Sequence, residues 1–585
     1  MVSSARGMFA TLRRAVLSRS RHLARRSHDL AARLRAAARG PGPAAGPVDA
    51  GKPVPSDTPG PAGTPGSAGT PLASGTPGPA GRLFRAGRMA LAGAPPGGLG
   101  DLAGGSRLVV VVTVVLLNVF TILAGPTLAD LLRAKAIAAA APRVAARPVV
   151  RAGTVLPGVP GGGSAPGPEP TAAGLSSALS PVLRDPALGK GVGAVVADPA
   201  TQRVLFGVNQ STPATPASTT KLVTSAAALT VLGPGARFTT RVVLGSSPGD
   251  IVLVGGGDPA LAAGHPPASQ YPQPATLAGL AASTARALRA RHLSRVRLGY
   301  DSSLFTGPPL APGWPDSYVN NGNVTPITAL EVDQGRLDPA GKPEDADDPG
   351  NPRPRSWNPA ADAAGAFASF LSADGVTVAG NPSPARHNAH AAEVARVQSP
   401  PLSAIVEWML GESNNVIAEF LARHVALATG RPATFSGASG AVMATVTRRL
   451  GLPAAQIHLV DGSGLSPQDQ IAPAALVHIV TLNASPGHPA LRSALTGMPV
   501  SGFSGTLATG SGLFGNQGSA ALGLVRAKTG NLDTVASMAG LADDRDGRLL
   551  AFAIMADRIP GAGKLPAAAS AIDRFAATLA SCGCR

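Results

Sequence analysis

The stretch Ala217-Ser218-Thr219-Thr220-Lys221-Leu222-Val223-Thr224-Ser225-Ala226-Ala227-Ala228-Leu229 places a serine three residues ahead of a lysine, at the front of an Ala- and Leu-rich run. Pro213 and Pro216 lie just upstream, so the chain arrives extended and a helix is expected to begin near Ser218. Residues three apart share a helical face. The Lys221 amine then stands beside the Ser218 hydroxyl, close to the free N–H groups of the helix start. A hydroxyl needs such an adjacent base to attack a carbonyl near neutral pH. The plainer alternative is a capping serine and a solvated lysine. Composition weighs against it. Only seven of the 50 Lys+Arg residues are lysines, and arginine cannot give up its proton whereas a desolvated lysine can. A second of these rare lysines stands in Lys528-Thr529-Gly530.

The bulk numbers bound what surrounds this stretch. The 585 residues are enough for more than one domain and a sizeable core. With 72 glycines and 57 prolines, long segments are expected to lack a packed core. The net charge of +17 suggests an acidic partner such as nucleic acid. Its distribution argues otherwise, because roughly two-thirds of the excess lies before residue 108. Cys582 and Cys584, the two cysteines, sit in the last four residues. They provide neither a disulfide framework nor zinc spacing, and no role is assigned to them.

Residues 1–106 read as a disordered, basic, Pro/Gly-rich cytoplasmic region. Its first 40 residues carry Arg13, Arg14, Arg19, Arg21, Arg25 and Arg26, with leucines at roughly helical spacing. Either a basic amphipathic helix on an anionic membrane or a solvated tail fits that pattern. The recurring Thr-Pro-Gly units from Thr58 to Gly78 are low-complexity linker. Leu108 to Ala124 then runs uncharged, and residues 107–129 are long enough to cross a bilayer. Arg82, Arg85, Arg88 and Arg107 precede the run, which puts that side in the cytoplasm. A single-pass anchor with the remainder extracytoplasmic is therefore expected. The rival is a cleaved signal peptide and a secreted product.

An Ala/Pro/Gly-rich linker is expected over 130–171, with ordered structure from near Leu175. Gly191–Ala197 and Arg203–Val208 read as strands around the Asp198-Pro199 turn. Short strands at Arg241–Leu244, Ile251–Val254 and Arg295–Tyr300 and a helix across Ala275–Arg291 make 241–399 an inserted, β-rich region. The run Glu344-Asp345-Ala346-Asp347-Asp348 is a solvated acidic loop. Helices return at Pro401–Leu410 and after Asn414, and strands at Gly523–Lys528 and Leu549–Ile554. That order predicts an α+β fold, with the final strands in one antiparallel sheet and the reactive serine at its edge.

Three short motifs now stand in order: Ser218-x-x-Lys221, Ser413-Asn414-Asn415 and Lys528-Thr529-Gly530. Each is weak alone. Together, in this order, they match the set of the penicillin-binding proteins and related β-lactamases, with Asn414 as a different middle letter in the second motif. Further stretches extend the match: Pro216–Leu222, Val254-Gly255-Gly256-Gly257-Asp258-Pro259, Asp301-Ser302-Ser303-Leu304-Phe305, Gly411–Asn415 and Asp461-Gly462-Ser463-Gly464-Leu465-Ser466. From about residue 172 to 580 the chain resembles the D-alanyl-D-alanine carboxypeptidase/endopeptidases of the class C low-molecular-mass penicillin-binding proteins, peptidase family S13.

The resemblance implies a penicillin-binding-protein/serine β-lactamase-like transpeptidase domain. Residues 172–240 and 400–585 would form its two parts, and 241–399 inserted domains. It implies a peptidoglycan pentapeptide as substrate, β-lactam antibiotics as inhibitors, no cofactor and no metal. Ser218 would be the nucleophile, Lys221 its base and Ser413 a proton relay toward the leaving amine. Asn415 would bind the substrate backbone, and Lys528 and Thr529 its terminal carboxylate. Gly530 would let a strand edge lie close to substrate. The backbone N–H groups of Ser218 and Asn531 would form the oxyanion hole. The family more often has a small hydroxyl residue at the position of Asn531, a change that leaves a backbone donor in place. The rival functions are a β-lactamase, for which no deacylating glutamate is identified, and a non-catalytic envelope protein that binds cell-wall fragments.

Other motifs carry less. Gly255-Gly256-Gly257 lacks the Lys-Ser/Thr ending of a phosphate-binding loop and reads as a structural turn. Asp461-Gly462-Ser463-Gly464 fits neither an EF-hand loop nor a nucleophile elbow and reads as a tight turn beside the site. The histidines are scattered without metal spacing, and Asp301 and Asp333 have no other sign of a paired-carboxylate site. Oligomeric state has no signal in the sequence.

Overall fold

The computed structural model describes residues 167–337, 354–508 and 521–585, all within one compact unit, Arg143–Arg585. The expected basic region, the span at 107–129, most of the linker and the acidic loop lie outside these residues. Among the described residues no helix is long and apolar enough to cross a membrane.

In chain order the first elements are helix α1 (Ala172–Leu183) and strands β1 (Val192–Ala197) and β2 (Val204–Val208). A 3-10 turn at Ala217–Thr219 opens helix α2 (Thr220–Leu232). The inserted region holds β3 (Thr239–Leu244), β4 (Asp250–Val254), α3 (Leu277–Arg289), β5 (Arg295–Asp301), α4 (Pro359–Ala373), β6 (Thr377–Val378) and β7 (Glu393–Gln398). Helices α5 (Leu402–Gly411), α6 (Asn415–Ala428), α7 (Phe435–Leu450) and α8 (Pro473–Ala484) follow. Strands β8 (Val525–Leu532), β9 (Val535–Asp543) and β10 (Leu549–Ala556) and helix α9 (Leu565–Ser581) close the chain.

The main sheet is antiparallel, in the order β8-β9-β10-β1-β2. Because side chains alternate along a strand, β10 serves two cores at once. Leu550, Phe552 and Ile554 pack toward α1 and α9, while Ala551, Ala553 and Met555 pack toward α2 and α5–α8. A sheet covered on both faces reads as an unbroken apolar run instead of an alternating one. The buried Val192–Ala197 and Val535–Ala542 show this, and their many Ala and Gly residues let helices approach closely. Helix α2 is buried from Thr220 to Leu229, all round its circumference, as expected of a helix at the centre of a domain.

The inserted region has its own sheet, in the order β6-β5-β4-β3-β7, with Ser383–Pro384 also pairing with β5. Strands β4 and β5 are parallel, and the β3–β4 and β3–β7 pairs are antiparallel. Its core is distinct: Val242, Ile251 and Leu253 against Leu277, Leu280 and Leu288 of α3 and Phe367 and Leu371 of α4.

Three details differ from the sequence reading. The described residues begin ahead of Leu175, at Gly167, and Arg548 receives them: its guanidinium donates to the Gly167 carbonyl at 2.9 Å and pairs with Glu169 at 3.3 Å. Thr171 N donates to Cys584 O at 2.9 Å, so the first and last described segments meet. The terminal cysteines form a local bond, Cys582–Cys584, across a single residue. Finally, the helix after Pro216 starts with a 3-10 turn, since Ala217 sits at φ +48°.

Candidate active site

Strand β2 ends at one edge of the main sheet, yet the serine that follows it lies against the opposite edge strand, β8. The chain crosses the sheet through Pro213 and Pro216, and Ala217 in the left-handed region turns Ser218 toward β8. Lys221 falls one turn beyond Ser218, at the start of α2, and is fully buried. Its Nζ lies 2.8 Å from Ser218 Oγ, 2.7 Å from Asn415 Oδ1 and 2.8 Å from the Ser463 carbonyl. The expected serine–lysine pair is thus within hydrogen-bond reach.

The second motif sits between α5 and α6. Ser413 adopts φ +57°, a conformation that costs a non-glycine residue of order 1 kcal/mol or more and persists only where its surroundings impose it. Asn414 supplies the constraint. Its N–H donates to Met409 O at 2.9 Å, and its side chain caps α6 by accepting from Ile417 N at 3.1 Å. Ser413 and Asn415 thereby face different lysines: Asn415 meets Lys221, and Ser413 Oγ lies 2.8 Å from Lys528 Nζ. Asn415 also donates to Asn323 O at 2.9 Å, joining the inserted region to the site.

The third motif lies on β8, the edge strand. Val525 N donates to Ser501 Oγ and Ala527 N to Pro499 O, both away from β9. Main-chain groups alternate sides along an antiparallel strand, so the N–H groups of Thr529 and Asn531 point to the same outer side. Lys528 is fully buried and Thr529 nearly so. Thr529 Oγ1 lies 2.9 Å from Thr506 Oγ1, and Lys528 Nζ donates to Thr529 O at 2.7 Å. Gly530 is where the strand touches the nucleophile's turn. A β-carbon there would stand 2.8 Å from both Pro216 O and Ser218 N. Ser537 on β9 ties the two together by donating to Pro216 O at 2.6 Å.

Asp461 organises the turn that supplies the Ser463 carbonyl. It accepts from Ser463 N at 3.0 Å, Gly464 N at 2.7 Å, Ser466 N at 2.7 Å and Trp314 Nε1 at 2.9 Å. Gly464, at φ +84°, lies directly against Ala217 O, where a β-carbon would come within 1.9 Å. The glycine-rich segment 255–257 is likewise structural. Gly257, at φ +67°, receives His424 of α6 on its carbonyl at 2.8 Å. Asp301 pairs with His387 at 2.8 Å, away from Asp333. Burial raises the Asp301 pKa, but hydrogen bonds from Ser303 and His387 more than offset this and bring it to about 2.

Sequence reasoning missed Ser463, Asn323 and Thr506 as members of the site. The first two contribute backbone carbonyls, which no residue type announces. Thr506 lies in a Gly/Ser-rich segment without a motif. Among the described residues no cluster of three or more His, Cys, Asp or Glu side chains could hold a metal ion.

Comparison with known proteins gives a consistent result. The model of the D-Ala-D-Ala carboxypeptidase 3 (S13) family matches residues 175–353 and 341–579. Carboxypeptidase DacB of Mycolicibacterium smegmatis is 38% identical over 421 residues, covering 71% of this chain and 86% of that protein. A D-alanyl-D-alanine carboxypeptidase of an Actinomadura strain is 29% identical over 450 residues, covering 65% and 80%. Among solved structures, penicillin binding protein 4 (dacB) of Haemophilus influenzae superposes with a TM-score of 0.55 at 22% identity, over 68% of this chain and 98% of that one. That likeness concerns the fold, which is of the penicillin-binding-protein type.

Proposed function

The chain belongs to the D-Ala-D-Ala carboxypeptidase 3 (S13) family, and we propose that it is a penicillin-sensitive, serine-type D-Ala-D-Ala carboxypeptidase acting on peptidoglycan stem peptides. The observation that carries this reading is the contact of 2.8 Å between the buried Lys221 Nζ and the half-buried Ser218 Oγ, set beside the edge strand β8.

In this mechanism Ser218 Oγ attacks the carbonyl between the last two D-alanines while an uncharged Lys221 takes its proton. The negative charge on the carbonyl oxygen is met by the N–H groups of Ser218 and Asn531. The outward alternation along β8 and the contact of Gly530 with Ser218 support that placement. Such donors are typically worth about 100- to 1000-fold in rate. Collapse expels D-alanine, whose amine takes, through Ser413, the proton that Lys221 drew from Ser218, so that Lys221 is uncharged again; Ser413 is held by Lys528 at 2.8 Å. Lys528 and Thr529 receive the terminal carboxylate, and Asn415 the peptide backbone. Water then cleaves the Ser218 ester and frees the shortened peptide. A β-lactam enters by the same attack, with ring opening in place of D-alanine loss.

The uncharged run at 108–129 and the arginines ahead of it, Arg107 the last of them, support a single-pass membrane anchor, with the catalytic unit outside the cell. Mass spectrometry of the mature N-terminus tests this: a chain retaining 107–129 supports an anchor, and one beginning after it a cleaved signal.

The activity is tested on the full-length protein and Ser218→Ala with a fluorescent penicillin, alongside D-alanine release from a pentapeptide. Stable labelling and release, both lost in the variant, are expected. Folded protein with neither signal would overturn the reading, and rapid turnover of the label would replace it with a β-lactamase.

A further inference from the structure

Lys221 is held by groups from two separate pieces of chain besides Ser218. One is Asn415 at the start of α6, and the other is the Ser463 carbonyl in the 461–466 turn. The position of Nζ depends on the distance between those two pieces. Asp461 ties the turn to itself, and Thr224 Oγ1 ties it to α2 by donating to Gly462 O at 2.7 Å. Its tie to α6 is Glu419, one helical turn beyond Asn415 and 1% exposed. The Glu419 carboxyl oxygens lie 3.0 and 3.2 Å from Gly462 N. The turn is pressed onto the helix here, since a β-carbon on Gly462 would come within 2.7 Å of Ala422 Cβ.

We propose that Glu419 is a positioning residue for Lys221, fixing the turn that offers the Ser463 carbonyl against the helix that offers Asn415, and that it does so as a neutral carboxyl. The inference rests on the reading of Lys221 as the base. A carboxylate at this place would favour the ammonium form of Lys221 and so withhold the base.

Of the charged groups that bear on Glu419, Asp461 favours its neutral form and Arg423 opposes it. Arg423, one turn further along α6, directs its guanidinium to Ala433 O at 2.7 Å and over the Phe435 ring at 4.2 Å. The turn contributes a second acid, Asp461, and α2 contributes Lys221 itself. Burial, then the Asp461 charge, push the Glu419 pKa up to about 8, against the opposing pull of Ser463, Arg423 and Gly462.

The test follows acylation of the full-length protein by a fluorescent penicillin, separating the limiting rate from the binding constant. Glu419→Ala removes the acceptor for Gly462 N–H. Misplacing a reacting group by about 1 Å costs on the order of 100-fold. The limiting rate is therefore expected to fall 10- to 100-fold with the binding constant unchanged. Glu419→Gln keeps an acceptor oxygen and the shape, and is expected to restore most of that rate. Above a pH of about 8, where Glu419 ionises, Glu419→Gln is expected to outpace the wild type. A folded Glu419→Ala protein acylating at the wild-type rate, or a loss confined to the binding constant, overturns the proposal. Should Glu419→Ala not fold, Glu419→Gln carries the test, and a pH profile superimposing on the wild type from pH 6 to 10 overturns it. Lys221→Met separates this inference from its premise. If that variant acylates normally, the role of Lys221 itself is wrong. If it is inert while the Glu419 variants are unimpaired, only the inference about Glu419 fails.

Discussion

A β-carbon placed on Gly530 would stand 2.8 Å from the backbone nitrogen of Ser218 and 2.5 Å from Ser537 Oγ. The first of these atoms is a proposed oxyanion donor, and the second holds the nucleophile's turn through Pro216 O. Neither is the movable end of a long side chain, so a methyl group must push β8 away from Ser218. Gly530→Ala is expected to lower the acylation rate by about 100-fold or more, with the melting temperature little changed because the strand lies at the sheet edge. Penicillin labelling and calorimetry on the same sample check it. Labelling within a fewfold of wild type would mean that the oxyanion site does not depend on this contact.

Lys221→Arg keeps a positive charge in the site and removes the capacity to accept a proton. The wild-type Nζ makes three close oxygen contacts, at 2.7 to 2.8 Å, and Lys221 itself has no exposure. A planar guanidinium cannot reproduce that set. Acylation and D-alanine release are expected to fall together by about 100- to 10,000-fold, the usual worth of a positioned base. A rate within tenfold of wild type would move the base elsewhere.

Much of this was legible in the sequence, for identifiable reasons. The turn and helix carrying Ser218 and Lys221 run from Pro216 to Gly233, the strand carrying Lys528 follows Gly523, and the chemistry of both lies in side chains at fixed local spacing. Strand β9 was not anticipated, because Val535–Asp543 is buried on both faces and built of small residues that show no alternation. The Ser463 and Asn323 carbonyls were invisible because backbone acceptors have no residue type. The crossing of the chain from β2 to the far edge at β8 depends on tertiary packing, which local propensity does not encode.

Asp573 of α9 is buried behind β8, beside a small cavity that it lines with Thr529, Asn531 and Met538. Neither of its carboxyl oxygens has a partner among the described residues. Burial pushes its pKa up to about 8, opposed only by Arg574. A carboxyl that binds its proton more tightly when folded favours the fold most at acid pH. That contribution fades from the ordinary carboxylate range near 4 upward and is gone by about 8. Asp573→Asn removes the titration and keeps the shape. Relative to the wild type, the variant is expected to gain stability from pH 5 to 8, at up to about 1.4 kcal/mol per pH unit. A pH-independent difference would show that Asp573 does not titrate across this range.

His424 carries the opposite sign. Its Nε2 donates to Gly257 O at 2.8 Å, its ring stacks on Phe238 at 3.9 Å, and burial pulls its pKa down to about 4. The folded protein therefore keeps the ring neutral while the unfolded chain takes up a proton near 6.5. The His424 contribution is complete above about pH 6.5 and is lost as pH falls toward 4, at about 1.4 kcal/mol per pH unit. His424→Gln keeps a donor for Gly257 O and removes the titration. Relative to this variant, the wild type is expected to lose stability steadily between pH 6.5 and 4.5, whatever offset separates the two at neutral pH. Because His424 joins α6 to the inserted region at Gly257, the loss should appear first as faster proteolysis around residues 255–259. Parallel stability curves for the two proteins through that window would mean that the ring titrates normally and that the Gly257 contact does not exclude water.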